Sequence, residues 1–463
     1  MLFTGVNCME SESERVNVMS SEEIELKFIV HPDSIESLRT QLSDWQSEYS
    51  HAEHIRAQRL TNTYYETADN FLRKQGIGLR IRGENQRYEM TVKTAGKVIG
   101  GLHQHPEYNV PLETAALDLN RLPADIWPEN CDPAALQQSL APLFSTDFTR
   151  EKWVVTYHQS VIEVALDCGE IRAGELSEPL SELEMELKLG QTSDLLELAM
   201  EIAEFGGLRQ GSLSKAARGY HLAKGNPARE CRPAGIFTPQ PKATLDQAIG
   251  AALEFALSHW QYHEELWVRG NADARHALPQ AGALIREMLV LVGGVIPRKV
   301  TTLFRAALAS LEDKIQDADK ADTLCYSVEY LQSKLVLTSW LIESGWRSYM
   351  DNKERIKLQG SYKRFADIML GRSSAELKHT FNSTLSEVQY IQQLPRLQRN
   401  ICALQLLSGA YPVEQVEAYT EHWRALINAI EQLSADGSPS PYLETCRKQA
   451  LTQPPFWLHS AGN

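Results

Sequence analysis

From Glu22 to about Gln191 the chain repeats one pattern, in which ionisable residues alternate with apolar ones at a spacing of two. In E-E-I-E-L-K (Glu22–Lys27), Glu23, Glu25 and Lys27 alternate with Ile24, Leu26 and then Phe28. Arg80 and Arg82 alternate with Leu79 and Ile81, and Glu89, Thr91 and Lys93 with Met90 and Val92. Arg150 and Lys152 precede Val154, and Glu163 and Asp167 flank Ala165 on one face. Glu182, Glu184 and Glu186 alternate with Leu183, Met185 and Leu187. Successive side chains of a strand point to opposite faces, so each segment predicts a strand with one charged and one apolar face. A sheet with a solvated outer face has this pattern, and so does a closed barrel with a hydrophilic lumen.

The distribution of charge favours the lumen. Carboxylates gather on the first and last strands and cations on the middle ones. Three glutamates stacked on one strand face repel each other unless a cation sits among them. Mg²⁺ or Mn²⁺ is the hard cation that carboxylate oxygens suit. Rows of Arg and Lys facing them suit a phosphate chain, whose oxygens guanidinium forks match in pairs.

The chain is long enough, at 463 residues, for two or three domains. Residues 1–19 read as an extension without order, with Met19 an alternative start. The stretch 20–225 is strand-rich, with helices at Pro32–Trp45, Leu195–Phe205 and Leu213–Leu222, the last capped by Ser212. Residues 226–243, with Pro227, Pro233, Pro239 and Pro241, have the composition of a linker. From 244 to 460 only helical periods recur, which predicts an all-α bundle. Net charge is -14, which argues against non-specific nucleic-acid binding. No apolar run approaches a membrane span. Seven scattered cysteines, with no C-x-x-C pair and no signal peptide, point to a reducing, cytoplasmic setting.

Taken in order, E-x-E-x-K at Glu23–Lys27, R-x-R at Arg80–Arg82, E-x-T-x-K at Glu89–Lys93, the single Arg150, A-x-D at Ala165–Asp167, E-x-E-x-E at Glu182–Glu186 and S-K-A-A-R-G-Y at Ser214–Tyr220 resemble the CYTH superfamily, the triphosphate tunnel metalloenzymes. The resemblance covers about residues 20–225. It implies an eight-stranded antiparallel β-barrel forming a tunnel, so that the whole chain is of the α+β class, a barrel followed by a helical bundle. It also implies metal-dependent hydrolysis or rearrangement of triphosphates. By motif, Glu23, Glu25, Glu184 and Glu186 would hold the metal, with Glu182 beside them and Asp167 supporting the shell. Lys27, Arg80, Arg82, Lys93, Arg150, Lys215 and Arg218 would line the triphosphate site. Glu23 would stand near the ion that holds the attacking water, and either Lys27 or Lys93 would protonate the departing pyrophosphate.

The helical half resembles CHAD domains, helical bundles associated with polyphosphate. The segment Leu394–Pro412 carries the likeness, with a thin basic row of Arg396 and Arg399. Around His276 and Arg286 most of the H-x-x-R-V-x-x-R-R pattern is missing. Lys363, Arg364, Arg372, Lys378 and His379 form the densest cationic run, which reads as a solvated helix face. His259 and His263 have the spacing of a metal pair but sit among aromatic residues with no third ligand, so they read as packing histidines. The combination resembles bacterial inorganic triphosphatases, which split tripolyphosphate into pyrophosphate and phosphate. The alternatives are a nucleoside or thiamine triphosphatase, an adenylate cyclase of the same superfamily, or a non-catalytic polyphosphate-binding protein.

Overall fold

The structure, a computed structural model, describes residues 19–47, 52–129, 131–348, 350–436 and 442–458. The expected disordered extension falls on residues 1–18, outside the described residues, except for Met19, which opens the first strand. The chain divides into two compact units between Ala228 and Arg229.

The first unit contains β1 (Met19–Val30), β2 (Ala52–Thr67), β3 (Gly78–Glu84), β4 (Arg87–Lys93), β5 (Lys97–Ile99), β6 (Leu102–Leu112), β7 (Leu140–Tyr157), β8 (Ser160–Ala173), β9 (Leu176–Leu189) and β10 (Leu208–Gln210). Pairing runs β1-β9-β8-β7-β2-β3-β4-β6, and β6 pairs with β1 again, so eight antiparallel strands close on themselves. β5 continues the sheet from β6, and β10 pairs with β1. Closure removes the unpaired edges that an open sheet would expose.

The apolar faces point outward. Leu26, Phe28, Ile162, Val164, Leu183 and Met185 are buried, and the helix Thr192–Ala203 packs on β8 and β9 with Leu195, Leu198 and Ile202. A second outer core joins Leu79, Met90, Val92 and Val110 to Leu119, Ile126 and Trp127 of the segment after β6. The hydrophobic effect therefore clamps helices and loops onto the outside of the wall, and the charged faces line the inside.

One end of the interior is different. Leu60, Tyr64, Phe144, Phe148, Ile171 and Leu180 form an apolar cluster with Tyr220 and Leu222 of the helix Lys215–Ala223. That helix is capped by Ser214, whose hydroxyl accepts from the Ala217 N–H, and not by Ser212 as the sequence suggested. Gly219 permits the close approach, since a Cβ there would lie 2.1 Å from the Phe144 ring.

The second unit is helical. The long helices are Leu245–Val268, Ala277–Leu291, Thr302–Asp317, Val328–Ile342, Tyr362–Phe381, Glu387–Leu407 and Val413–Asp436, followed by Leu443–Thr452. Thr244 and Gln247 form a capping box at the start of the first. The buried Glu264 accepts from Lys334 Nζ (2.8 and 2.9 Å) and from the Tyr330 hydroxyl (2.8 Å), so its charge is matched inside the core.

A candidate active site in the barrel lumen

All eight strands of the closed barrel turn polar side chains into a cavity of about 540 Å³. β1 contributes Glu23, Glu25 and Lys27, β9 contributes Glu184, Glu186 and Lys188, and β8 contributes Glu163. Arg150 and Lys152 come from β7, Tyr64 from β2, Arg80 and Arg82 from β3, and Glu89, Thr91 and Lys93 from β4. β6 adds His103, His105, Glu107 and Asn109, and Lys215 enters from the helix at the apolar end. Register sets the grouping. Glu25 pairs with Glu186, which pairs with Glu163, so three carboxylates on three strands share one cross-strand row.

Each carboxylate of this wall is matched by a cation. Lys27 Nζ lies 2.8 Å from Glu25 Oε1 and 3.2 Å from Glu184 Oε1. Lys93 pairs with Glu23 and stands 3.3 Å from Glu107. Lys188 holds Glu186 at 2.8 Å, and Lys152 holds Glu163 at 3.1 Å. Burial pushes the Glu25 and Glu184 carboxyls up, but the surrounding ammonium and guanidinium groups outweigh it and hold both below their usual range. Glu23 goes the other way: burial outweighs Lys93 and raises it, while its neighbour Glu107 is lowered because Lys93, Arg80 and Asn109 outweigh burial.

Arg82 stands apart. Its Nε donates to Asn62 Oδ1 at 3.1 Å, and among the described residues no carboxylate lies within ion-pair distance of it. Burial, with Arg80 and Arg150 nearby, lowers its pKa to about 10. Burial is the larger cause, and Arg80 and Arg150 add to it against the opposing pull of Glu89, the cross-strand partner of Arg82.

Of the residues singled out from sequence, Glu23, Glu25, Lys27, Arg80, Arg82, Lys93, Arg150, Glu184, Glu186 and Lys215 line the cavity. Asp167, Glu182 and Arg218 do not. Asp167 and Glu182 are 0% exposed. Arg150 grips Asp167 with two bonds of 2.6 and 2.7 Å, and Lys215 lies 2.8 Å from Asp167 and 2.7 Å from Glu182. Arg218 donates to Glu182, Glu178 and the Pro179 carbonyl. These three residues fasten the helix and aim Arg150 and Lys215 at the lumen.

Sequence reasoning assigned nothing to the β6 row. Its signal was present as H-x-H-x-E-x-N at His103–Asn109, interrupted in appearance by Pro106. Tyr64 and Asn62 of β2 were missed because neither is charged. His103 is buried, and its Nε2 has no hydrogen-bond partner.

Among the described residues no three His, Cys, Asp or Glu side chains converge as ligands of a metal ion. The donor chemistry nonetheless fits one. Glu23, Glu25, Glu184 and Glu186 offer hard oxygen atoms from adjacent strands, the type that Mg²⁺ and Mn²⁺ prefer.

In the helical unit His263 is fully buried, with Nε2 accepting from the Arg232 N–H and Nδ1 against the His259 carbonyl. Arg396 pairs with Glu376 and Lys363 with Asp367, whereas Arg364, Arg372, Lys378 and His379 are exposed. Among the described residues no helix is long and apolar enough to cross a membrane.

Comparison with known proteins adds two domain-model matches to this geometry. Residues 21–220 match the model of the CYTH domain and residues 251–434 that of the CHAD domain. An inorganic triphosphatase of Haemophilus influenzae is 42% identical over 201 residues, which are 43% of this chain and 55% of that protein. The chain thus spans little more than half the length of that relative. A solved Hippeastrum protein, HpAC1, described by a dominant triphosphatase activity, is 18% identical over 43% of this chain and 96% of its own, with a TM-score of 0.32. The CHAD domain of the plant Ricinus communis is 15% identical over 48% of this chain and 89% of its own, with a TM-score of 0.31.

Proposed function

We propose, for a chain that carries a CYTH domain followed by a CHAD domain, that the barrel lumen hydrolyses inorganic triphosphate to pyrophosphate and phosphate with the help of Mg²⁺ or Mn²⁺. The observation that carries this reading is the cluster of Arg80, Arg82 and Arg150 on the lumen wall, in which Arg82 has no ion pair among the described residues. A half-buried guanidinium with unused donors gains from an anion that completes it. Guanidinium forks on β3 and β7, two strands apart in the sheet, match a chain of phosphates better than a single carboxylate.

In this reading Arg80, Arg82 and Arg150 hold the oxygens of the chain, with Lys27, Lys93 and Lys215 at its flank. Asp167, Glu182 and Arg218 are positioning residues, which keep Arg150 and Lys215 in place. Glu23, Glu25, Glu184 and Glu186 would hold the metal, with Glu186 opposite Glu25 in register. When bound, the metal would offset charge that develops on the phosphoryl group. Glu23 orients the attacking water and takes its proton. Lys93, paired with Glu23 on that wall, donates to the departing pyrophosphate. Most of the catalysis is positioning and charge neutralisation, which is what phosphoryl transfer asks of a protein. Cys131, Cys168, Cys231, Cys402 and Cys446 carry free thiols, which fits a reducing cytoplasm. The helical unit is a candidate polyphosphate contact through its exposed Arg364, Arg372 and Lys378.

The test is phosphate release from inorganic tripolyphosphate, ATP, thiamine triphosphate and long-chain polyphosphate, with Mg²⁺ and after chelation. The expected result is metal-dependent release from tripolyphosphate ahead of the other three. Absence of release from every one of them overturns the enzymatic reading.

A further inference from the structure

The lumen carboxylates of β1, β6, β8 and β9 are not waiting for a cation, because lysines already occupy them. Glu25, Glu186 and Glu163 form one row across β1, β9 and β8. Each has its own ammonium group, Lys27 at 2.8 Å, Lys188 at 2.8 Å and Lys152 at 3.1 Å. Glu184 is shared among Lys27, Lys215 and Arg150, and Glu23 and Glu107 share Lys93. With every oxygen row so engaged, no three carboxylates converge on a common point among the described residues. Across the lumen, Arg82 has no carboxylate within ion-pair distance among the described residues, although Glu89 of β4 is its cross-strand partner.

We propose that the lysines of the lumen act as stand-ins for the divalent cation, and that a triphosphate must draw them off before the metal can bind. This rests on the reading that the lumen takes a triphosphate. The anion enters on the arginine side, where the Arg82 guanidinium has no ion pair among the described residues. Its remaining oxygens compete with Glu23, Glu25 and Glu184 for Lys93 and Lys27. Each ammonium that turns to phosphate leaves a carboxylate pair without its counter-charge, and a divalent ion is then the group that restores balance. Metal and triphosphate are thereby positively coupled, and coupling is reciprocal: each raises the affinity of the other by the same factor. The arrangement also keeps the empty barrel neutral on its acidic wall, which would otherwise repel itself.

Two measurements on the full chain test this. In the first, Mn²⁺ alone is titrated without any phosphate, and bound ion is read from the loss of the free-ion paramagnetic resonance signal. The wild type is expected to bind weakly. Lys27→Met and Lys93→Met are expected to bind at least tenfold more tightly, and Mn²⁺ should raise their Tm more than that of the wild type. If Lys27→Met does not fold, Lys93→Met, whose side chain is 28% exposed, carries the comparison. Wild-type binding as tight as that of the folded variants overturns the inference. In the second, tripolyphosphate is titrated calorimetrically in excess chelator. Binding without metal is expected, and binding that requires Mn²⁺ overturns the proposed order. The first titration contains no phosphate, so a failure to hydrolyse triphosphate leaves its outcome readable. Failure of tripolyphosphate to bind under any condition strikes the triphosphate reading itself, and this inference with it.

Discussion

In the proposed reading, Arg82 is the residue on which anion recognition turns. Its Nε donates to Asn62, and burial together with Arg80 and Arg150 works against its charge while Glu89 opposite supports it. Arg82→Ala should therefore lower kcat/KM for tripolyphosphate by about a hundredfold or more, the usual loss when a buried donor to a reacting oxyanion is removed. Arg82→Lys keeps the charge but loses the fork, and should fall between the two. Steady-state kinetics read both, with Tm as the control for folding. An unchanged kcat/KM in Arg82→Ala would remove Arg82 from the site. A different outcome is expected one layer out. Asp167→Asn should weaken the two-bond grip on Arg150 and lower activity while leaving the lumen lining in place. If Asp167→Asn instead abolished Mn²⁺ binding and left tripolyphosphate affinity unchanged, Asp167 would be a ligand and not a positioning residue.

At the scale of elements, the helix Lys215–Ala223 does most to define the cavity. It closes the apolar end of the barrel and delivers Lys215 to the polar end. Its seat is secured on three sides. Arg218 reaches β9, the Tyr220 hydroxyl donates to the buried Glu66 at 2.8 Å, and Gly219 abuts Phe144. Glu66 also accepts from the N–H groups of Leu72 and Arg73, so the helix is tied to the turn after β2. Gly219→Ala places a methyl group within 2.1 Å of an aromatic ring and should destabilise the protein by about 1–3 kcal/mol. Because Lys215 lies four residues earlier on the same helix, activity should fall along with Tm. A Gly219→Ala protein with wild-type Tm would mean that the helix can shift without cost.

Stability of the whole molecule also depends on a group within the helical unit. Glu287 is 7% exposed in the helical unit, its Oε2 has no hydrogen-bond partner, and burial outweighs the attraction of Arg399 to raise its pKa to about 7. Its value in an unfolded chain is 4.5. Between those values the folded state binds more protons than the unfolded one, so stability falls as pH rises through that window and is flat above it. Glu287→Gln cannot titrate. The variant should gain on the wild type as pH rises from 4.5 to 7, reaching up to about 3 kcal/mol above pH 7 at ~1.4 kcal/mol per pH unit. Calorimetry of the full chain across this range checks it. A difference that does not change with pH would show that Glu287 keeps its charge when folded.

By itself the sequence determined the strands and which faces of them are charged, because both follow from a period of two that any local stretch displays. It determined the break into a strand-rich and a helical half for the same reason. The first half of β7, Leu140–Phe148, escaped because its inward face is Phe144, Thr146 and Phe148, which carries no charge to mark it. The β6 row escaped because histidine, asparagine and a proline disguise the alternation. What only the tertiary structure decided is which charges meet. Glu25, Glu186 and Glu163 share a row through pairings between strands far apart in the chain, and Lys215 reaches Asp167, Glu182 and Glu184 only after the helix docks. A carboxylate's fate as a lumen oxygen or a buried anchor depends on those through-space partners, and one-dimensional spacing carries no record of them.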